Sequence, residues 1–140
     1  MQWVSEQAER GAEASERYDA VFVDIFDGTN ETPAPFRDAP FLQDVHRLLR
    51  GDGVVLMNLH TGEPRLDGQC ASAKAAFREA FHCGCYALPV RYQGNTVLAA
   101  TARPLFGSKE ALAREARANA VELGVCTFDP APRLDRLAPL

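Results

Sequence analysis

The chain has 140 residues, 46% apolar and 24% charged, enough for one buried core, too little for two ordinary domains, and too apolar for a largely disordered chain. Fifteen basic against nineteen acidic residues leave a net charge of -4, so no overall field draws it to phosphate backbones or anionic lipid, and nucleic acid is not an expected partner. No apolar run approaches the ~20 residues of a membrane helix, and Glu6, Glu9, Glu13 and Glu16 stand where a signal peptide carries a basic and then an apolar stretch; the expectation is a cytoplasmic domain without a membrane partner.

Trp3, Val4, Ala8, Gly11, Ala12 and Ser15 recur at helical spacing with glutamates between them, predicting a surface helix over residues 2–17. Ala20 to Phe26 is β-branched and aromatic without polar alternation, as expected of a strand buried on both faces of a parallel sheet. Residues 28–40 hold three of the nine prolines and read as a loop. Phe41, Leu42, Val45, Leu48 and Leu49 then predict a helix stopping at Gly51-Asp52-Gly53. A second apolar strand, Val54 to Leu59, completes a right-handed βαβ unit.

Gln69 to Phe81 reads as a helix with Ala73, Ala76, Phe77 and Ala80 inward. Two strand-like runs, 86–92 and 96–101, flank Gln93-Gly94-Asn95 and predict a β-hairpin. A last helix is expected over 109–123. A proline-rich tail follows in residues 125–140, with Pro130, Pro132 and Pro139. Cys70, Cys83, Cys85 and Cys126 fit neither a disulfide framework nor a paired zinc motif, so reduced thiols and no metal are expected. In an extended segment Cys83 and Cys85 pack on one face. His46, beside Arg47 on the middle helix, is expected to face solvent.

The order helix, strand, helix, strand, helix, hairpin resembles the second half of the Rossmann-like class I S-adenosylmethionine-dependent methyltransferase fold, an α/β architecture with parallel strands four and five plus an antiparallel hairpin. Tyr18-Asp19-Ala20-Val21-Phe22-Val23-Asp24-Ile25-Phe26-Asp27-Gly28 is similar to the fourth strand and loop of its spermidine synthase-like group. The run from Phe41 through Gly51-Asp52-Gly53 to Asn58-Leu59-His60 resembles the helix, turn and fifth strand of that group. Its members include polyamine-forming aminopropyltransferases and methyltransferase-like enzymes acting on protein lysines and amino termini. The resemblance covers residues 3–101, within a domain taken as 1–124.

The sequence departs from that pattern before Asp24, where no Gly-x-Gly follows a strand. No cofactor-binding residue is therefore identifiable. S-adenosylmethionine is the cofactor the resemblance implies, but the isolated chain is expected to bind it poorly, because the amides that cradle it and the acid that holds its ribose belong to the other half.

Ligands of open α/β sheets sit beyond the carboxyl ends of the strands where strand order reverses. The resemblance places the catalytic acid at Asp24, a carboxylate that can orient an amine or take its proton. Asp27 would assist by holding a second ammonium or a peptide backbone. Either carboxylate can instead satisfy turn amides. Phe26, with Phe36, would wall the substrate pocket, although loop aromatics also cover core edges. Asn58 and His60 end the neighbouring strand and can reach the same cleft, His60 as a general base or as an ordinary surface histidine.

Methylation of an amine or a protein nitrogen is the first expectation. Aminopropyl transfer ranks second, because residues 58–64 and the proline-rich loop differ from what that subgroup implies. A non-catalytic interaction module is third. Between Ala20 and Val23 no charge or proline guards the strand edge, so a partner is expected there, either a second copy or a complementary amino-terminal chain. The tail folding over that flank is the alternative.

Overall fold

A computed structural model describes residues 2–10, 17–82, 84–90, 94–101, 107–124, 129 and 131–140. In chain order these form α1 (Gln2–Glu9), β1 (Tyr18–Val23), α2 (Ala39–Leu48), β2 (Leu49–His60), α3 (Asp67–Phe81), β3 (Cys85–Val90), β4 (Asn95–Thr101), α4 (Lys109–Glu122), the single turn α5 (Ala131–Leu134) and the two-residue β5 (Ala138–Pro139). The strands make one sheet in the order β1-β2-β4-β3-β5. β1 and β2 are parallel, and the β3–β4 hairpin joins antiparallel through β4. The predicted βαβ unit and hairpin are thus both present, and the architecture is mixed α/β.

Alternation along β2 sets the layers. Val55, Met57 and Leu59 are fully buried and pack in one core with Phe41, Leu42 and Val45 of α2 and Ala73, Phe77 and Ala80 of α3, as the helical spacing predicts. Asp38 caps α2, its carboxylate accepting from the Phe41 amide at 3.0 Å, so the helix opens within the predicted loop and ends at Leu48. The expected turn at Gly51-Asp52-Gly53 is absorbed into β2 as a bulge. Tyr18 pairs with Leu49 but Ala20 with Val54, which leaves three extra residues on β2. Gly53 is required there, because a Cβ would lie 2.8 Å from the Tyr18 carbonyl oxygen.

Three expectations need correction. β1 is not buried on both faces: Phe22 is 73% exposed, and within the strand only Val23 is buried. Among the described residues it pairs with a neighbouring strand on the β2 side alone. The described residues of the tail do not cover that flank. Pro139 and Ala138 pair with Tyr86 and Ala87, and the Leu140 amide donates to the Cys85 carbonyl at 2.9 Å, so the tail joins the sheet at its opposite edge. His46 does not face solvent; it is half-buried, its ring 4.9 Å from that of Phe81. Burial first, then the charges of His82 and Arg47, hold its pKa below the ordinary 6.5.

Cys85 is buried and Cys70 half-buried, both as free thiols. Cys83 and Cys126 lie outside the described residues, as do 11–16 of the first expected helix and the 91–93 segment of the hairpin. No helix among the described residues is long and apolar enough to cross a membrane.

Candidate functional site

The alternation that buries Met57 and Leu59 turns Asn58 and His60 to the opposite face, at the carboxyl end of β2. β1 runs parallel, with Val23 paired to Met57, so Asp24 arrives beside Asn58, whose Nδ2 donates to Asp24 Oδ1 at 3.1 Å. Three predicted site residues, Asp24, Asn58 and His60, therefore meet at one end of the sheet. The fourth element of the cluster comes from β4. Asn95 is the cross-strand partner of His60; its Nδ2 donates to Asn58 Oδ1 at 2.9 Å, and its Oδ1 lies 3.3 Å from His60 Nδ1. On the other side of the ring, His60 Nε2 is 3.5 Å from Glu63 Oε1.

Backbone contact fixes this arrangement. Gly94 has φ +61°, and a Cβ on it would lie 2.8 Å from Gly62 Cα, so the loop after β2 and the turn before β4 touch through two glycines. The Thr61 amide donates to the Gly94 carbonyl across the same contact. His60 and Asn95 are held together from both strands.

Asp27 has a different role in the fold. One of its oxygens, Oδ1, accepts from the Thr29 amide at 2.8 Å, the Thr29 hydroxyl at 2.7 Å and the Glu31 amide at 3.0 Å, the side-chain turn that aspartate favours. Those hydrogen bonds, the Thr29 hydroxyl foremost, hold its carboxyl below the ordinary range. Phe26 is partly exposed two residues beyond Asp24. Phe36 instead packs edge-to-face on Phe41, ring centroids 5.6 Å apart, at the core's margin.

Further residues, unremarked in the sequence, tie the 24–38 loop down. Buried Gln69 accepts from the Thr32 amide at 3.0 Å and donates to the His60 carbonyl at 2.8 Å, which bridges the loop to the end of β2. Arg37 donates to the Thr32 carbonyl, to Ser72 and to Glu31 at 2.9, 2.6 and 2.9 Å. Arg65 donates to the Thr29 carbonyl at 2.6 Å and to Glu63 at 2.8 Å. With that ion pair as the main cause and His60 as a lesser one, Glu63 also sits below its ordinary pKa. No sequence periodicity marks these residues; only the placement of α3 against the loop reveals them.

The site is open and carries carboxylates, amides and an imidazole, a set suited to binding and deprotonating an amine. Among the described residues no group of three or more His, Cys, Asp or Glu side chains converges to hold a metal. For an S-adenosyl cofactor the fit is incomplete. Before Asp24 the single glycine is Gly11, which provides no glycine-rich cradle.

Along the free side of β1, Trp3, Val4, Tyr18, Val21, Ile25 and Phe36 line an apolar groove of about 380 Å³. Trp3 is 56% exposed at its rim.

No protein-family model and no curated protein matches the sequence. Solved structures do. The chain is similar to human methyltransferase-like protein 13 in complex with SAH, with TM-score 0.72, 24% identity, and 88% of this chain against 55% of that one. It is also similar to a probable spermidine synthase from Corynebacterium glutamicum ATCC 13032, with TM-score 0.59, 24% identity, and 79% of this chain against 41% of that one. A spermidine synthase in complex with the transition state analogue AdoDATO matches with TM-score 0.52 and 17% identity over 81% of this chain and 36% of that one. The chain spans about half the length of these structures or less. The likeness is one of fold: this is the Rossmann-like α/β architecture of methyltransferase-like proteins and spermidine synthases.

Proposed function

We propose that this chain is the substrate-side part of an S-adenosylmethionine-dependent transferase that methylates an amine or a protein nitrogen. The observation that carries the reading is Asp24 at the carboxyl end of β1, its carboxylate oriented by Asn58 in a fold shared with a methyltransferase-like protein solved with SAH. S-adenosylmethionine supplies the methyl group, and its cradle has to come from polypeptide other than the described residues. The chain's own contribution is to hold the acceptor. Asp24 accepts a hydrogen bond from the amine, aims its lone pair and takes the proton it sheds. Asn58 fixes the carboxylate's rotamer, and Phe26 supplies an apolar side to the acceptor pocket. Asp27 shapes the loop that carries these groups, and its second oxygen can meet a further cation.

The better match to the methyltransferase-like structure than to the spermidine synthases supports methyl over aminopropyl transfer. The assay that separates them supplies the chain, joined by a cofactor-binding half, with S-adenosylmethionine or its decarboxylated form and both a peptide amine and a diamine. Methyl transfer to nitrogen is expected. Aminopropyl transfer to the diamine would select the second reading, and no transfer with either donor would select the non-catalytic interaction module.

The partner belongs at β1. Its outer edge and the adjoining apolar groove fit a strand-bearing stretch of the cofactor-binding half, consistent with the chain's spanning about half of the structures it resembles. Hydrogen exchange on a dilute monomer is expected to be fast at the outward-facing amides of residues 21–24 and to slow on adding that half. Slow exchange in the monomer would show the edge already covered, and slowing with concentration alone would identify a second copy as the partner.

A further inference from the structure

Four side chains from three strands and their loops form one line of hydrogen bonds at the carboxyl end of the sheet, and the chemistry of its first member fixes the direction of the rest. A carboxylate only accepts, so Asn58 must turn Nδ2 toward Asp24 and Oδ1 toward Asn95. Asn95 must answer with Nδ2 and is left presenting Oδ1 to the imidazole. His60 Nδ1, 3.3 Å away, can satisfy that oxygen only as a donor.

We infer that Asn95 is a positioning residue: it transmits the direction set by Asp24 to His60 and holds the neutral imidazole with its proton on Nδ1 and its lone pair on Nε2. This goes beyond the proposed function, on which its catalytic meaning rests. An imidazole held in this way takes a proton at Nε2 alone, and the imidazolium then lies between the Asn95 carbonyl and the Glu63 carboxylate, 3.5 Å from Nε2. The proton would be the one an acceptor arriving as an ammonium loses before attack, distinct from the one Asp24 takes from the nitrogen after transfer: the N–H bond breaks, the Nε2–H bond forms, and the amine keeps its electron pair for attack. Glu63 is prepared for that charge by Arg65, which holds it ionised.

The opposite tautomer is the natural competitor, since Glu63 could accept from Nε2–H. It would set bare Nδ1 against Asn95 Oδ1, two acceptors facing each other. Reversing Asn95 to relieve that clash would turn its Oδ1 onto Asn58 Oδ1, and reversing Asn58 in turn would set its oxygen against the Asp24 carboxylate. The clash moves along the line without disappearing. The Thr61 amide, donating to the Gly94 carbonyl, holds the two strand ends together against separating to relieve it.

Long-range proton–nitrogen spectra of the full chain, recorded above the imidazole titration and assigned with His60→Gln, read the tautomer directly. Wild type is expected to show His60 Nδ1 protonated and Nε2 bare. Asp24→Asn, whose amide can also donate, is expected to release the direction and raise the Nε2–H form. Asn95→Ala should do the same by removing the link. A wild-type proton on Nε2, or a tautomer unchanged in both Asp24→Asn and Asn95→Ala, would overturn the inference. The amide spectrum of each variant reports its folding, and should Asn95→Ala not fold, Asp24→Asn decides. Neither turnover nor cofactor is needed, so this result and the transfer assay can fail separately.

Discussion

Val55, Met57 and Leu59 are fully buried against α2 and α3, whereas Leu56, Asn58 and His60, the alternate residues of the same strand, are only half-buried, and Phe22 beside Leu56 is 73% exposed. One face of the sheet carries the packed core and the other carries the polar cluster of Asp24, Asn58, Asn95 and His60. The division follows from the period of two along a strand, and it means that substitutions one residue apart should have effects of different kinds. Polar groups survive on the second face because they are hydrogen-bonded to one another across strands, with solvent close by.

Substitutions on the packed face should cost the most. Phe77→Ala removes a fully buried ring and should cost about 3–5 kcal/mol in urea unfolding. Phe22→Ala should change the monomer by no more than about 0.5 kcal/mol, but should weaken any complex formed along β1. A similar large loss from Phe22→Ala in the monomer would show that the second face is packed after all.

Arg37→Ala tests the strap between loop and helix. The guanidinium is largely buried and bonds to Thr32, Ser72 and Glu31, so about 1.5–3 kcal/mol should be lost, with faster exchange at the Thr32 amide. Asp38→Ala removes the α2 cap and should cost about 1 kcal/mol in the same unfolding measurement.

His46 gives the mildest effect, and its sign is definite. Its pKa is lowered in the folded state, so the unfolded chain binds more protons as pH falls through about 6.5, and the stability this residue contributes above that pH declines below it. His46→Phe should flatten this part of the stability–pH curve. An unchanged slope between pH 7 and 5 would assign the dependence to other groups.

The sequence made the fold legible where one signal dominated. Spacing at 41–49 and 69–81 reports helices with one packed face, and unbroken apolar runs report β1 and β2. It misled at β1, because an apolar run states only that burial is possible, not which neighbours provide it. Gly51-Asp52-Gly53 carries turn chemistry, yet a bulge uses the same residues without leaving the strand. Asp24, Asn58 and His60 were legible as strand-end residues on adjacent parallel strands. Asn95 was not, because it reads as a turn residue until the antiparallel register of β4 on β2 sets it opposite His60. Gln69, Arg37 and Arg65 depend in the same way on where α3 and the turn before it meet a loop some thirty-five residues earlier.

On the proposed function Asp24 acts on the acceptor and not on the cofactor, and Asp24→Asn tests that division most directly in the chain joined to a cofactor-binding half. The substitution removes proton acceptance while leaving an amide of nearly the same shape. The account predicts turnover lowered by about 100-fold or more, with cofactor affinity measured by calorimetry within about twofold of wild type. Equal losses in turnover and in cofactor affinity would contradict it and would move Asp24 to the cofactor's side of the cleft.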